Sequence, residues 1–208
     1  QTHHSALPSR SPSIPLRILR ILRILRMCGI VNRIRRFFTK RKTILVLGPA
    51  NSGKSAILER LKTGKLIRTF PTLHPNFEGL VLGNVKIRFL EVGNDRFKPH
   101  FLSLPYIKNV KAVLYVVDCT DQSTFYASRT ELNLLMYTRM LRGLPLAVLG
   151  NKLDKDGPST VSDMASTLDL MSIRPRNWTV IRTSCVTGEG MDELREWIVE
   201  NLKEETCL

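Results

Sequence analysis

Gly48-Pro49-Ala50-Asn51-Ser52-Gly53-Lys54-Ser55 sets two glycines, a lysine and a hydroxyl at the spacing G-x-x-x-x-G-K-[ST]. Loop N–H groups at this spacing turn inward and hold phosphate oxygens, and the start of the following helix adds positive potential. The phosphate-facing stretch predicted here is Gly48, Asn51, Ser52, Gly53, Lys54, Ser55 and Ala56. Lys54 would reach the β- and γ-phosphates, and the Ser55 hydroxyl would ligate Mg²⁺.

Asn151-Lys152-Leu153-Asp154 follows the apolar run Leu146–Gly150. A carboxylate at Asp154 can accept from the ring N–H and the exocyclic amine of guanine. Adenine offers neither donor in that geometry, so the acid selects GTP or GDP by leaving ATP with a mismatch. Thr183-Ser184-Cys185 ends a later apolar run, where the backbone N–H groups of Ser184 and Cys185 can meet the guanine oxygen.

These motifs need a frame. Thr43–Gly48 is a β-rich run, and a helix is predicted from Lys54 to about Lys62. Phe77–Leu82 and Val85–Val92 flank Gly83-Asn84, a hairpin signature. Lys111–Asp118 reads as a buried strand, and Asp121–Arg142 as a helix closed by Gly143 and Pro145. Further strands are predicted at Leu146–Gly150 and Trp178–Arg182, with a helix around Val161–Leu168 between them. Met191, Leu194, Trp197, Ile198 and Leu202 line one face of a last helix. Six strands alternating with helices predict an α/β fold: a mostly parallel six-stranded sheet with helices on both faces.

Charge divides the chain. The formal net charge is +14, yet residues 1–42 alone hold nine Arg, two Lys and no acid. The basicity belongs to an N-terminal arm, whereas a nucleic-acid-binding domain spreads its basic stripe over the folded part; no nucleic-acid partner is expected. Residues 1–26 read as a low-complexity basic extension. Arg17, Arg20, Arg23 and Arg26 recur every third residue, which drifts about 60° per repeat on a helix and forms no stripe. Residues 27–42 read as a basic amphipathic helix. Met27, Ile30, Val31, Ile34, Phe37 and Phe38 form its apolar face, opposite Arg33, Arg35, Arg36, Lys40, Arg41 and Lys42. Such a helix suits an anionic membrane surface. Residues 43–208 form the predicted nucleotide-binding domain. An acid-free, Arg- and Ser-bearing arm also has the composition of a mitochondrial transit peptide. The four cysteines show no CxxC or metal-ligand spacing and suit a reducing compartment.

With these motifs in place, residues 27–202 resemble the ADP-ribosylation-factor-like (Arf-like) small GTPases. The resemblance rests also on Pro71-Thr72 with Asn76-Phe77-Glu78, on Tyr115–Asp121, and on Leu168–Trp178 running into Thr183–Leu194. It implies a Ras-like GTPase domain that binds GTP or GDP with Mg²⁺, preceded by a membrane-binding helix. It implies a hairpin that shifts when GTP binds, releasing that helix, and unnamed protein effectors and exchange or activating factors. The expected location is cytoplasmic, peripheral on an intracellular organelle, in trafficking or organelle signalling. Thr72 matches the switch Thr that ligates Mg²⁺ and senses the γ-phosphate.

Three departures cluster in Leu90–Phe97. Glu91 stands where an Asp holds a Mg²⁺-bound water. Asn94 stands where a Gly N–H meets the γ-phosphate. Asp95 stands where a Gln orients the attacking water. The resemblance therefore implies weak hydrolysis, or a GTP-bound scaffold that does not hydrolyse. Pro75 and Leu90 occupy two of three positions that are aromatic in the family's effector surface.

Overall fold

The computed structural model describes residues 41–70, 75–93, 107, 109–173 and 177–203. The strands are β1 (Lys42–Leu47), β2 (Asn76–Leu82), β3 (Val85–Glu91), β4 (Val110–Asp118), β5 (Leu146–Asn151) and β6 (Trp178–Arg182). The helices are α1 (Lys54–Thr63), α2 (Phe125–Met136), α3 (Val161–Thr167) and α4 (Met191–Leu202). Among the described residues the strands form one sheet in the order β2-β3-β1-β4-β5-β6. Only the β2–β3 hairpin is antiparallel; the other pairings are parallel.

The apolar runs are continuous because the sheet is covered on both sides. Side chains alternate across a strand, so β1 sends Leu45 and Leu47 to one face and Ile44 and Val46 to the other. The first face packs with Tyr115, Val117, Phe125, Leu132, Leu135 and Met164, which brings in α2 and α3. The second packs with Ile57, Leu58, Leu194 and Ile198, which brings in α1 and α4. Cys119 is fully buried, as a small apolar side chain would be.

Two boundaries differ from the sequence pattern. The helix expected over Asp121–Arg142 is a 3₁₀ turn at Gln122–Thr124 and an α-helix that stops at Met136. The Thr138 hydroxyl donates to Leu134 O at 3.1 Å, as the Thr130 hydroxyl does to Tyr126 O at 3.2 Å within the helix, so the change at the stop lies in the backbone. From there Thr138 N bonds Leu135 O, and Leu141 N bonds Thr138 O, in tighter i−3 turns. Lys42, assigned by its charge to the end of the amphipathic helix, opens β1 instead. It pairs with Ile87, and its ammonium donates to Leu202 O at the end of α4 at 2.6 Å. Residues 27–40 of the predicted helix lie outside the described residues, as does the extension 1–26.

Candidate functional site

The parallel strands β1, β3, β4 and β5 end on one edge of the sheet, and their last residues turn polar there. β3 ends in Glu91, β4 in Asp118 and β5 in Asn151, all buried. In sheets of this kind the crevice outside the carboxyl ends of the strands is where ligands bind.

The phosphate loop leaves β1 at this edge. Gly48 has φ 134°, and a Cβ there would lie 2.0 Å from Val116 O, so only glycine fits beside β4. Gly53 has φ 94° and serves as N-cap of α1. Lys54 is buried and folds back over the loop, donating to Gly48 O at 2.9 Å and Pro49 O at 2.8 Å. Burial pulls its pKa down; Glu91 and then Glu131 oppose that by attraction. Glu131 is fixed on α2 by the Tyr115 hydroxyl, which donates to it at 2.6 Å.

Asn151 joins the loop to the base side. Its Nδ2 donates to Ser52 O at 2.8 Å, and its Oδ1 accepts from Thr183 Oγ1 and Cys185 Sγ, both at 3.5 Å. The lock requires Gly53, because a Cβ there would sit 2.2 Å from Asn151 Nδ2. Gly53→Ala should push the amide off Ser52 and strain the backbone at positive φ. One lost hydrogen bond plus about 1 kcal/mol of strain corresponds to roughly tenfold to sixtyfold weaker guanine nucleotide binding. Titration with a fluorescent GDP analogue measures it, and an unchanged affinity would dismiss the lock.

On the base side, the Ser184 hydroxyl donates to the Asp154 carboxylate. The same oxygen accepts from Val186 N at 3.2 Å and Thr187 N at 3.1 Å, which fixes it in the turn after β6. Leu153 N bonds Thr183 O at 3.2 Å, so the two base-side segments are held together by backbone as well. Burial pushes the Cys185 thiol up to about 11, which keeps it neutral beside Asn151. Lys152 sits at φ 70° and pairs with Asp118 at 2.7 Å.

The Ser55 hydroxyl donates to Glu91 Oε1 at 2.6 Å. A hydroxyl that gives its proton to a carboxylate keeps its lone pairs for a cation. Hard oxygen donors of this kind, completed by phosphate oxygens, suit Mg²⁺. The residues present therefore fit the ion, with Ser55 and Glu91 as its holders. The expected third holder, Thr72, lies outside the described residues, as do Asn94 and Asp95. Sequence reasoning placed the other expected site residues at this one edge. It missed Asp118, which sits inside the run Tyr115–Asp121 as an unremarked acid. The signal was its position as the last residue of a buried parallel strand.

A glycine-rich strand-to-helix loop, tied to Asn-Lys-Leu-Asp at the end of the next-but-one parallel strand, defines a P-loop nucleotide-binding protein of small-GTPase type. Comparison with known proteins narrows the class. The family model "ADP-ribosylation factor family" matches residues 29–202, and the chain belongs to that family. It is a GTP-binding regulatory protein of the Arf-like type. Curated relatives include the ADP-ribosylation factor-like protein 1 of Drosophila melanogaster, 32% identical over 179 residues, covering 85% of this chain and 98% of the relative. The protein of the same description from Caenorhabditis elegans is 33% identical over 180 residues, covering 86% and 99%. Among solved structures, the Arl6 BBS3 small GTPase from Trypanosoma brucei with bound nucleotide analogue GppNp superposes with a TM-score of 0.67. That pairing covers 77% of this chain and 96% of the other at 23% identity, a likeness of fold.

Proposed function

We propose that this chain is a membrane-associated guanine-nucleotide switch on an intracellular organelle, with intrinsic hydrolysis slower than is usual for its family. The observation that carries the nucleotide part is Asn151. It bonds Ser52 of the phosphate loop and stands three residues before Asp154, so phosphate and base determinants share one rigid edge. The loop N–H groups and Lys54 hold the phosphates; the Lys54 ammonium, donating to the Gly48 and Pro49 carbonyls, has a third N–H to offer them. Asp154, held by Ser184, accepts from guanine. Lys152 lines the same side. Mg²⁺ held at Ser55 and Glu91 would neutralise phosphate charge. Chromatography of the nucleotide released from purified protein tests this reading: guanine nucleotide supports it, and adenine nucleotide or none refutes it.

The membrane part rests on the arm. Met27, Ile30, Ile34, Phe37 and Phe38 at helical spacing, with eleven uncompensated cations in residues 1–42, fit anionic lipid. Vesicle binding is expected to need phosphatidylserine and to fall as salt rises, since exposed charges are screened within about 8–10 Å at physiological ionic strength. Phe37→Glu with Phe38→Glu should abolish it in a sedimentation assay. Equal binding of this variant, or binding to neutral vesicles at high salt, would refute the mechanism.

A further inference from the structure

Asp118 is the acid of the site edge that no phosphate or base role uses. It closes β4 and is 9% exposed. Its two oxygens are divided between two tasks. Oδ1 accepts from Thr120 N at 3.0 Å and from Thr120 Oγ1 at 2.7 Å. Oδ2 faces cations: Lys152 Nζ at 2.7 Å and Lys155 Nζ at 4.0 Å. Backbone pairing brings the two segments together as well, since Cys119 N donates to Asn151 O at 2.9 Å.

The partners of this ion pair are not equivalent. Asp118 has a short side chain anchored by two local hydrogen bonds in the turn after β4. Lys152 has four rotatable methylenes and a backbone in the left-handed region at φ 70°, where an L residue is strained. The acid is the fixed member and the lysine the guided one. Burial alone would raise the Asp118 carboxyl, but the Lys152 ammonium and the two Thr120 contacts outweigh it and hold the group below the usual carboxylate range. It therefore stays charged at neutral pH. The Asp154 carboxylate has a different local partner, the Ser184 hydroxyl.

We propose that Asp118 is the positioning residue of the guanine site. It fixes where the Lys152 ammonium sits, and through that lysine it sets how slowly guanine nucleotide leaves, without touching the nucleotide. The proposal rests on the nucleotide reading above and adds a residue outside the Asn-Lys-Leu-Asp motif. It separates two properties of the site. Asp118 acts on the lifetime of the complex, whereas Asp154 acts on the choice of base.

A double-mutant cycle on the full chain tests it, with release of N-methylanthraniloyl-GDP and of the corresponding IDP as readout. Asp118→Asn keeps an oxygen for Thr120 and removes the charge that holds Lys152. It should accelerate GDP and IDP release equally, by about tenfold. Lys152→Ala should do at least as much, and the double variant should be no faster than Lys152→Ala alone, because coupled residues are not additive. Multiplied effects in the double variant would mean that Asp118 supports the fold rather than the lysine, and would overturn the proposal. So would an unchanged release rate in Asp118→Asn, or a change in the GDP-to-IDP ratio. If wild-type protein retains no labelled GDP, the nucleotide reading falls and this proposal with it. Retention by wild type with an uncoupled cycle sinks the positioning role alone.

Discussion

Asp154→Ala should lower GTP and GDP affinity by roughly tenfold to a hundredfold. Removing one partner of a charge-assisted hydrogen bond costs about 1.5–3 kcal/mol, and each 1.4 kcal/mol is a factor of ten. The effect belongs at the upper end of that range for two reasons. On the proposed reading the carboxylate accepts from two donors on one edge of guanine, so both would lose their partner together. The Ser184 hydroxyl loses its acceptor too, and it is the group that receives Val186 N and Thr187 N. The turn carrying the Cys185 N–H is then less well fixed. Discrimination should fall with affinity, because the remaining backbone donors read only the base oxygen. Isothermal titration with GDP and ADP measures both. Equal GDP affinity in wild type and variant would remove Asp154 from the site.

Most of the site was legible in the sequence because its chemistry is written in contiguous residues. A phosphate cradle needs glycines at Gly48 and Gly53 and a cation at Lys54 within one turn, and such spacing survives any packing detail. The strands were legible because buried parallel strands are apolar throughout. Contacts set by the three-dimensional arrangement were not. The pairing of Tyr115 with Glu131 joins a strand to a helix, and nothing in either run announces it. Asp118 looked like the polar end of an apolar run until the sheet order set β4 beside β5 and brought Lys152 to it. The end of α2 at Met136 was misread for another reason. Hydrophobic periodicity continues past it, while the backbone tightens to i−3 bonds at Thr138 and Leu141, a change that periodicity does not register. The contact of the Ser55 hydroxyl with Glu91 Oε1 at 2.6 Å likewise joins a helix to a strand, and neither run announces it.

GTP hydrolysis should rise at least tenfold in the double variant Asn94→Gly, Asp95→Gln. The chain enters this segment from a fixed point: Val92 N still bonds Val46 O at 3.2 Å, and Glu91 touches Ser55. Glu91 and Val92 thus lie beside Ser55 and β1. Hydrolysis of this type depends on positioning and on electrostatic stabilisation of charge building on the γ-phosphoryl group. A Gln amide can accept from the attacking water and donate to that charge. The Asp95 carboxylate only accepts, is one methylene shorter, and brings negative charge toward a group already rich in it. Asn94 adds a Cβ where free backbone rotation lets a Gly N–H turn to the phosphate. Ras-type proteins with Gln hydrolyse GTP alone at about 10⁻⁴ per second, and the wild-type chain should fall below that. Single-turnover hydrolysis of preloaded GTP compares the two. A wild-type rate at or above that of the double variant would refute the argument, because Asp95 or a neighbour such as Arg96 would then be orienting the water by a route that charge and reach do not allow for.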